Sequence, residues 1–211
     1  MNKYDVVVVG GGHAGLEAAY AVDRIGLSCA LVTFKRKSIG QMSCNPAIGG
    51  LGKSHIVREI DAMGGLMSRA TDMSGIQYRT LNTRKGDAVQ ALRVQCDRKL
   101  YKQATQKIIK NTNIEVIEGE VKDLVVEGNK VKGVMTNNNT VLGKRTILTT
   151  GTFLNGLIHI GDERTPAGRH NEKPSTGLSE QLEKFKMKLG RLKTGTPPRL
   201  DGSTINYNNL E

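Results

Sequence analysis

The chain has 211 residues, enough for one full domain and part of a second, and 37% of them are hydrophobic with no Trp and only 4% aromatic, which is thin for two independent cores. The formal net charge of +11 favours an anionic partner such as nucleic acid, a phosphate-bearing ligand or an acidic membrane, without choosing among them; plain solubility is the competing reading. The 25 glycines fall in clusters rather than in a G-X-Y period, which excludes a collagen-like chain, and the three cysteines (Cys29, Cys44, Cys96) show neither a disulfide framework nor zinc-ligand spacing.

The predicted elements begin with a buried strand over residues 4–9, where Val6-Val7-Val8-Val9 has no polar alternation, as a parallel strand covered on both faces requires. A turn over 10–15, a helix over 14–25 ended by Gly26 and a second strand over 28–34 complete a β-α-β unit. No basic leader, long apolar stretch and cleavage site precede it, and the run of valines is too short to span a bilayer, so a soluble, cytoplasmic protein without membrane association is expected. Residues 35–50 read as a loop, 52–63 as a helix and 76–82 as a short strand. Residues 87–110 read as one long helix, with Val89, Leu92, Cys96, Leu100, Ala104 and Ile108 at helical spacing. A third parallel strand is expected over 114–117. An antiparallel β-meander follows over about 119–143, with strands at 120–126, 130–135 and 140–142. A buried strand over 146–150 ends at Gly151, residues 179–188 form a helix, and 190–199 read as strand or loop. The Asn residues at 206–209 read as turn chemistry.

Gly10-Gly11-Gly12-His13-Ala14-Gly15 fits G-x-G-x-x-G in its proper context, after a buried strand and opening a helix. Gly10 permits the tight turn, Gly12 admits a pyrophosphate to the backbone, and Gly15 lets helix pack on strand. The helix-start N–H groups then bind phosphate. The acidic residue expected about 20 residues on, at the end of the second strand, is missing; Val32-Thr33-Phe34-Lys35 offers only Thr33. This weakens an NAD reading more than a flavin one. Glu17 on the first helix reads as a solvated side chain. Thr149-Thr150-Gly151-Thr152 returns the chain beside the pyrophosphate in two-nucleotide flavoproteins, and with the element order it points to FAD.

Ala47 to Ser54 nearly matches the phosphate loop G-x-x-x-x-G-K-[ST], but residues 41–46 are no buried strand, so an ATPase or GTPase is rejected. The same glycines could still form an anion-friendly nest. Cys44 is expected just before a helix start, where the helix N-terminus and Lys53 favour its thiolate; it is read as catalytic or as an inert loop thiol, with Cys29 and Cys96, on a strand and an apolar helix face, as core. The basic groups at 35–37, at Arg79 with Arg84-Lys85, at Arg98-Lys99-Lys102 and at 184–193 could meet RNA phosphates; the Arg98 and Lys184 groups read as solvated helix faces.

Several segments together carry a resemblance. They are Val9 to Gly15, Gly40-Gln41-Met42-Ser43-Cys44-Asn45-Pro46-Ala47-Ile48-Gly49-Gly50, Glu59 to Gly65, Gly151-Thr152-Phe153-Leu154, His159-Ile160-Gly161 and Gly190-Arg191-Leu192-Lys193-Thr194-Gly195-Thr196-Pro197-Pro198-Arg199. Across essentially its whole length the chain resembles the N-terminal part of the MnmG (GidA) family, FAD enzymes that modify the wobble uridine of tRNA. The resemblance implies an α/β, Rossmann-type FAD-binding fold of two-dinucleotide-binding-domain flavoproteins, with residues 1–155 as the FAD-binding domain and 156–211 as the start of an incomplete second region. It implies addition of a (carboxymethyl)aminomethyl group to uridine with a partner GTPase (MnmE) in a heterotetramer, a homodimer when full length, methylenetetrahydrofolate as carbon donor and NADH as flavin reductant. It carries over FAD contacts to Gly10, Gly11, Gly12, His13, Ala14, Gly15, Val121 and Ser175, and an essential cysteine to Cys44, as nucleophile on uracil or as proton carrier. Two departures stand out. Arg84-Lys85-Gly86-Asp87-Ala88-Val89 replaces a Ser-Lys-Gly-Pro-Ala-Val pattern, with Asp87 expected as a helix N-cap. The chain is also far shorter than the family's members, so a truncated fragment, inactive alone, is expected. The competing readings are a folate- and FAD-dependent tRNA uridine methyltransferase, which lacks the Cys-Asn-Pro-Ala-Ile-Gly-Gly segment, a non-catalytic FAD- or RNA-binding module, and a generic NAD-dependent reductase, against which the missing strand-end carboxylate and the meander argue.

Overall fold

The computed structural model describes residues 3–42, 44–195 and 200–208. Strand β1 (Lys3–Val9) leads into helix α1 (His13–Arg24) and strand β2 (Cys29–Thr33). The apolar residues Leu16, Ala19 and Val22 of α1 are buried with Gly15, and Gly26, at φ 79°, turns the chain after the helix, with its N–H bonded to Asp23 O. Then come strand β3 (Ala47–Gly49), helices α2 (Lys53–Ala62) and α3 (Met67–Asp72), and strands β4 (Gly75–Leu81) and β5 (Ala91–Cys96). Helix α4 (Arg98–Lys110) leads to strand β6 (Glu115–Glu118) and to β7 (Val121–Glu127), β8 (Lys130–Thr136) and β9 (Thr140–Leu148). A hairpin of β10 (Leu157–Ile160) and β11 (Glu163–Pro166) and a short helix α5 (Leu178–Lys184) follow.

The main sheet runs β6-β2-β1-β9-β8-β7. Its first four strands are parallel and the last two pair antiparallel, the open α/β arrangement of a Rossmann-type fold with the predicted meander at one edge. Side-chain alternation explains why β1 carries valines without a polar break. Val6 and Val8 pack with Leu16, Leu31, Tyr101 and Ile108 on the helical face, while Val7 and Val9 pack with Val32, Val134, Leu178 and Leu182 on the other. Each fully buried side chain such as Leu16 or Leu31 contributes about 1.5–3 kcal/mol. Helix α5 also closes the sheet edge: the Gln181 side chain accepts from Leu124 N at 2.5 Å and donates to Leu124 O at 2.9 Å, pairing with β7 as a strand would.

Several expectations are corrected. The single helix over 87–110 is instead a 3-10 turn (Asp87–Val89), strand β5 and helix α4. Ala91, Val94 and Cys96 are buried, so Cys96 is a strand residue. Asp97 starts the helix, its carboxylate accepting from Leu100 N at 2.8 Å; the short apolar run before it fits either period. Asp87 lies inside the 3-10 turn and Gly86 is its N-cap. The strands expected at 140–142 and 146–150 are one strand, β9, whose Leu142 pairs with both Gly133 and Lys3. Gly143 looks like an interruption but is a close approach: a Cβ there would sit 2.7 Å from Val7 Cγ2. The loop expected over 35–50 contains β3, and β3-β5-β4 form a separate antiparallel sheet. Helix α3 and the β10–β11 hairpin were without a periodic signal. Glu17 is not a solvated side chain. Its carboxylate accepts from Leu66 N at 3.1 Å and Met67 N at 2.7 Å, capping α3 from 49 and 50 residues away. Residues 190–195 carry no regular structure, and 196–199, the remainder of that expected strand or loop, lie outside the described residues. At the far end Asn206 Oδ1 accepts from Asn208 N at 3.0 Å, a local turn; Asn209 lies outside the described residues.

Candidate functional site

The parallel strands β1 and β9 deliver two turns to one end of the sheet. Gly10, at φ 112°, bends the chain off β1, a conformation closed to most side chains. Gly15 packs behind it: a Cβ on Gly15 would lie 1.8 Å from Gly10 O and 2.6 Å from Thr149 Oγ1. Thr149, just past β9, fastens the two turns together by donating its hydroxyl to Val9 O at 2.6 Å. Gly12 is the N-cap of α1 and brings no side-chain cap, and a Cβ there would meet nothing within 4 Å. The first turn of α1 therefore opens on empty space with an uncompensated positive dipole end.

That space is a cleft of about 310 Å³. Its floor is Gly10, Gly11, Gly12, His13 and Ala14, and its rim includes Thr33, Val121, Thr150, Gly151 and Ser175. Ser175 is buried and held by backbone bonds, its N–H to Phe153 O at 2.8 Å and its O from Asn155 N at 2.9 Å. His13 lies with its ring centroid 5.5 Å from that of Tyr101, and its Nε2 is buried without a hydrogen-bond partner. Burial pushes the imidazole below its ordinary value of 6.5, so the ring is neutral at physiological pH.

The cleft thus gathers Gly10 to Ala14, Val121 and Ser175 from the sequence-predicted set. Gly15 lies behind the loop as packing. Cys44 is not among the lining residues, although Gln41 is. Nor does Cys44 precede a helix as expected: β3 follows it, and the next helix along the chain starts at Lys53. The half-buried thiol lies 3.9 Å from Gly195 O. One wall escaped sequence reasoning. Phe34 and Phe153 pack at 5.3 Å between centroids, and the Arg169 guanidinium lies 5.2 Å over Phe153 while pairing with Glu172 Oε2 at 2.8 Å. Arg169 sits in an irregular segment with no periodicity to announce it. Arg98, read as part of a solvated helix face, instead turns its guanidinium onto backbone carbonyls of Met42 and Cys44. Among the described residues no cluster of three or more His, Cys, Asp or Glu could hold a metal ion, and no helix is long and apolar enough to cross a membrane.

Sheet order, glycine loop and cleft at the carboxyl ends of the strands define a Rossmann-type α/β protein with a meander. A family model described as glucose inhibited division protein A matches residues 5–211, and the chain belongs to that family. It is 53% identical to the tRNA uridine 5-carboxymethylaminomethyl modification enzyme MnmG of Thermodesulfovibrio yellowstonii, over 100% of this chain and 34% of the relative. Aquifex aeolicus GidA superposes with a TM-score of 0.92 at 51% identity, over 99% of this chain and 35% of that one. The GidA-related protein of Thermus thermophilus shares the fold, with a TM-score of 0.63 at 20% identity over 87% of this chain and 69% of that one. The chain thus spans about a third of the length of the MnmG and GidA relatives it matches.

Proposed function

We propose that this chain supplies the FAD site and the reacting cysteine of a tRNA wobble-uridine modification enzyme that adds a (carboxymethyl)aminomethyl group. The observation that carries the reading is the open glycine floor: room at Gly12 where a Cβ would meet nothing, beside the partnerless buried His13 Nε2. These features fit a dinucleotide, whose pyrophosphate needs close backbone approach and free helix-start N–H groups. Gly10, Gly11, Gly12, His13 and Ala14 would hold the pyrophosphate, Val121 the adenine end, and Ser175 a polar contact on the rim; Gly15 keeps the loop in shape. The bound flavin would supply electron transfer. Cys44 serves uracil as nucleophile or proton carrier, and the net charge of +11 suits a polyanionic tRNA. NADH as reductant, methylenetetrahydrofolate as carbon donor, an MnmE-type GTPase partner, a homodimer and a cytoplasmic location complete the proposal for the full-length protein. Identity of 53% to an MnmG enzyme favours this chemistry over the methyltransferase.

The test is the visible absorption spectrum of the purified chain, with mass analysis of the released ligand. Bound FAD is expected; a colourless chain that also rejects added FAD overturns the cofactor assignment. In the full-length protein Cys44→Ser is expected to keep flavin and to abolish modification of undermodified tRNA, and full turnover in that variant removes Cys44 from the reaction.

A further inference from the structure

Two arginines from distant parts of the chain reach the backbone on either side of the candidate nucleophile. Arg98 is the first residue of α4, directly after its Asp97 cap. One of its terminal nitrogens donates to Met42 O at 3.3 Å and the other to Cys44 O. Arg169, steadied by Glu172 and by the face of Phe153, donates to Gln41 O at 3.4 Å. The strand that leads into α4 adds a further tie, Cys96 N to Pro46 O at 2.6 Å.

A carbonyl on a half-exposed loop needs no arginine, because water satisfies it. A planar guanidinium that takes two carbonyls two residues apart does something water cannot: it fixes the peptide planes and with them the direction of the Cys44 Cα–Cβ bond. Lysine has a point charge and no fork, so it cannot span the two acceptors in the same way. The arrangement costs side-chain entropy and gains no ion pair with these carbonyls, which sets it apart from an ordinary surface contact.

We propose that Arg98 is a positioning residue for the Cys44 thiol, acting through the carbonyls of Met42 and Cys44. The proposal rests on Cys44 being the reacting thiol, and it assigns to the start of α4 the task of aiming that thiol. Arg98 does not line the cleft, so flavin binding and thiol placement separate in experiment.

The experiment uses the full-length protein with three variants, Arg98→Ala, Arg98→Lys and Cys44→Ser. Flavin content, kcat and KM for undermodified tRNA are measured, together with site-resolved alkylation by iodoacetamide. Arg98→Ala is expected to retain FAD and leave KM within a few fold while kcat falls about a hundredfold, the scale of a misplaced reacting group. Arg98→Lys is expected to recover only part of that loss. The alkylation rate of Cys44 is expected to change severalfold in Arg98→Ala, with Cys29 and Cys96, 2% and 1% exposed, staying protected. A kcat within twofold of the parent, full recovery by lysine, or a loss that merely follows lost flavin or folded protein overturns the proposal while Cys44→Ser remains inactive. An active Cys44→Ser overturns the underlying reading of the thiol, and the proposal with it.

Discussion

Two glycine-rich loops in this chain each open a helix from a glycine N-cap, Gly12 and Gly52, neither with a side-chain cap, and they differ in what they face and in which N–H groups are engaged. At residues 10–15 the loop lines the cleft with Gly10 to Ala14, and a Cβ on Gly12 would meet nothing within 4 Å. At residues 49–54 the loop closes on itself. Gly50 O accepts from Lys53 N at 3.1 Å and Ser54 N at 2.9 Å, and Gly50 N donates to Leu92 O at 2.9 Å. There the left-handed glycines (Gly49, Gly50, Gly52) make a tight corner between β3 and α2. Glycine spacing next to Lys-Ser therefore says little about phosphate by itself; what matters is whether the N–H groups are already engaged and whether a strand of the central sheet delivers the loop to a cleft.

Substitutions sharpen this contrast. The largest effect is expected from Gly15→Val, because its Cβ would overlap Gly10 O at 1.8 Å, backbone that cannot step aside. A loss of about 4 kcal/mol or more, or failure to fold, should appear in chemical denaturation. Gly12→Val should separate folding from ligand binding. The free chain gains no clash and loses about 1 kcal/mol through a poorer N-cap, yet its side chain fills the cradle and flavin content should fall to background. Unchanged flavin in that variant would move the pyrophosphate elsewhere. Gly52→Ala, at φ 70°, should cost about 1 kcal/mol in thermal or denaturant melts and leave flavin content untouched, because that loop does not line the cleft. The smallest effect is a pH dependence from His13. Its folded pKa lies below 6.5, so the unfolded chain binds the proton more readily. Stability should fall as pH drops below the unfolded value, and His13→Gln should flatten that slope in melting curves between pH 7 and pH 5.

What could be read from the sequence was local. Four consecutive valines announced a strand covered on both faces, and Gly10, Gly12 and Gly15 announced the turn, because each requirement acts within a few residues. The strand β5 was hidden because Val89, Leu92 and Cys96 match a helical period as well as Val94 and Cys96 match a strand; only the Asp97 cap distinguishes them. The carboxylate of Glu17 on the backbone of α3 and the guanidinium of Arg98 on Met42 and Cys44 could not be seen at all. Such side-chain to backbone contacts span about fifty residues or more and leave no periodic trace. The same holds for the aromatic and arginine wall of the cleft, whose members Phe34, Phe153 and Arg169 meet only after the sheet has assembled.

The position of β9 in the sheet also governs how the chain can be made. Lys3 of β1 pairs with Leu142, so one flank of the first strand has no partner until 139 further residues have been polymerised. At roughly 5–20 residues per second on a ribosome, Val6 to Val9 wait about 7 to 28 seconds with that edge unsatisfied. Pairing of β2 with β1 covers the other flank early, leaving one bare, valine-rich edge on the nascent chain. That edge is the site most open to edge-to-edge association during synthesis, and a ribosomal pause before β9 would favour aggregation over folding.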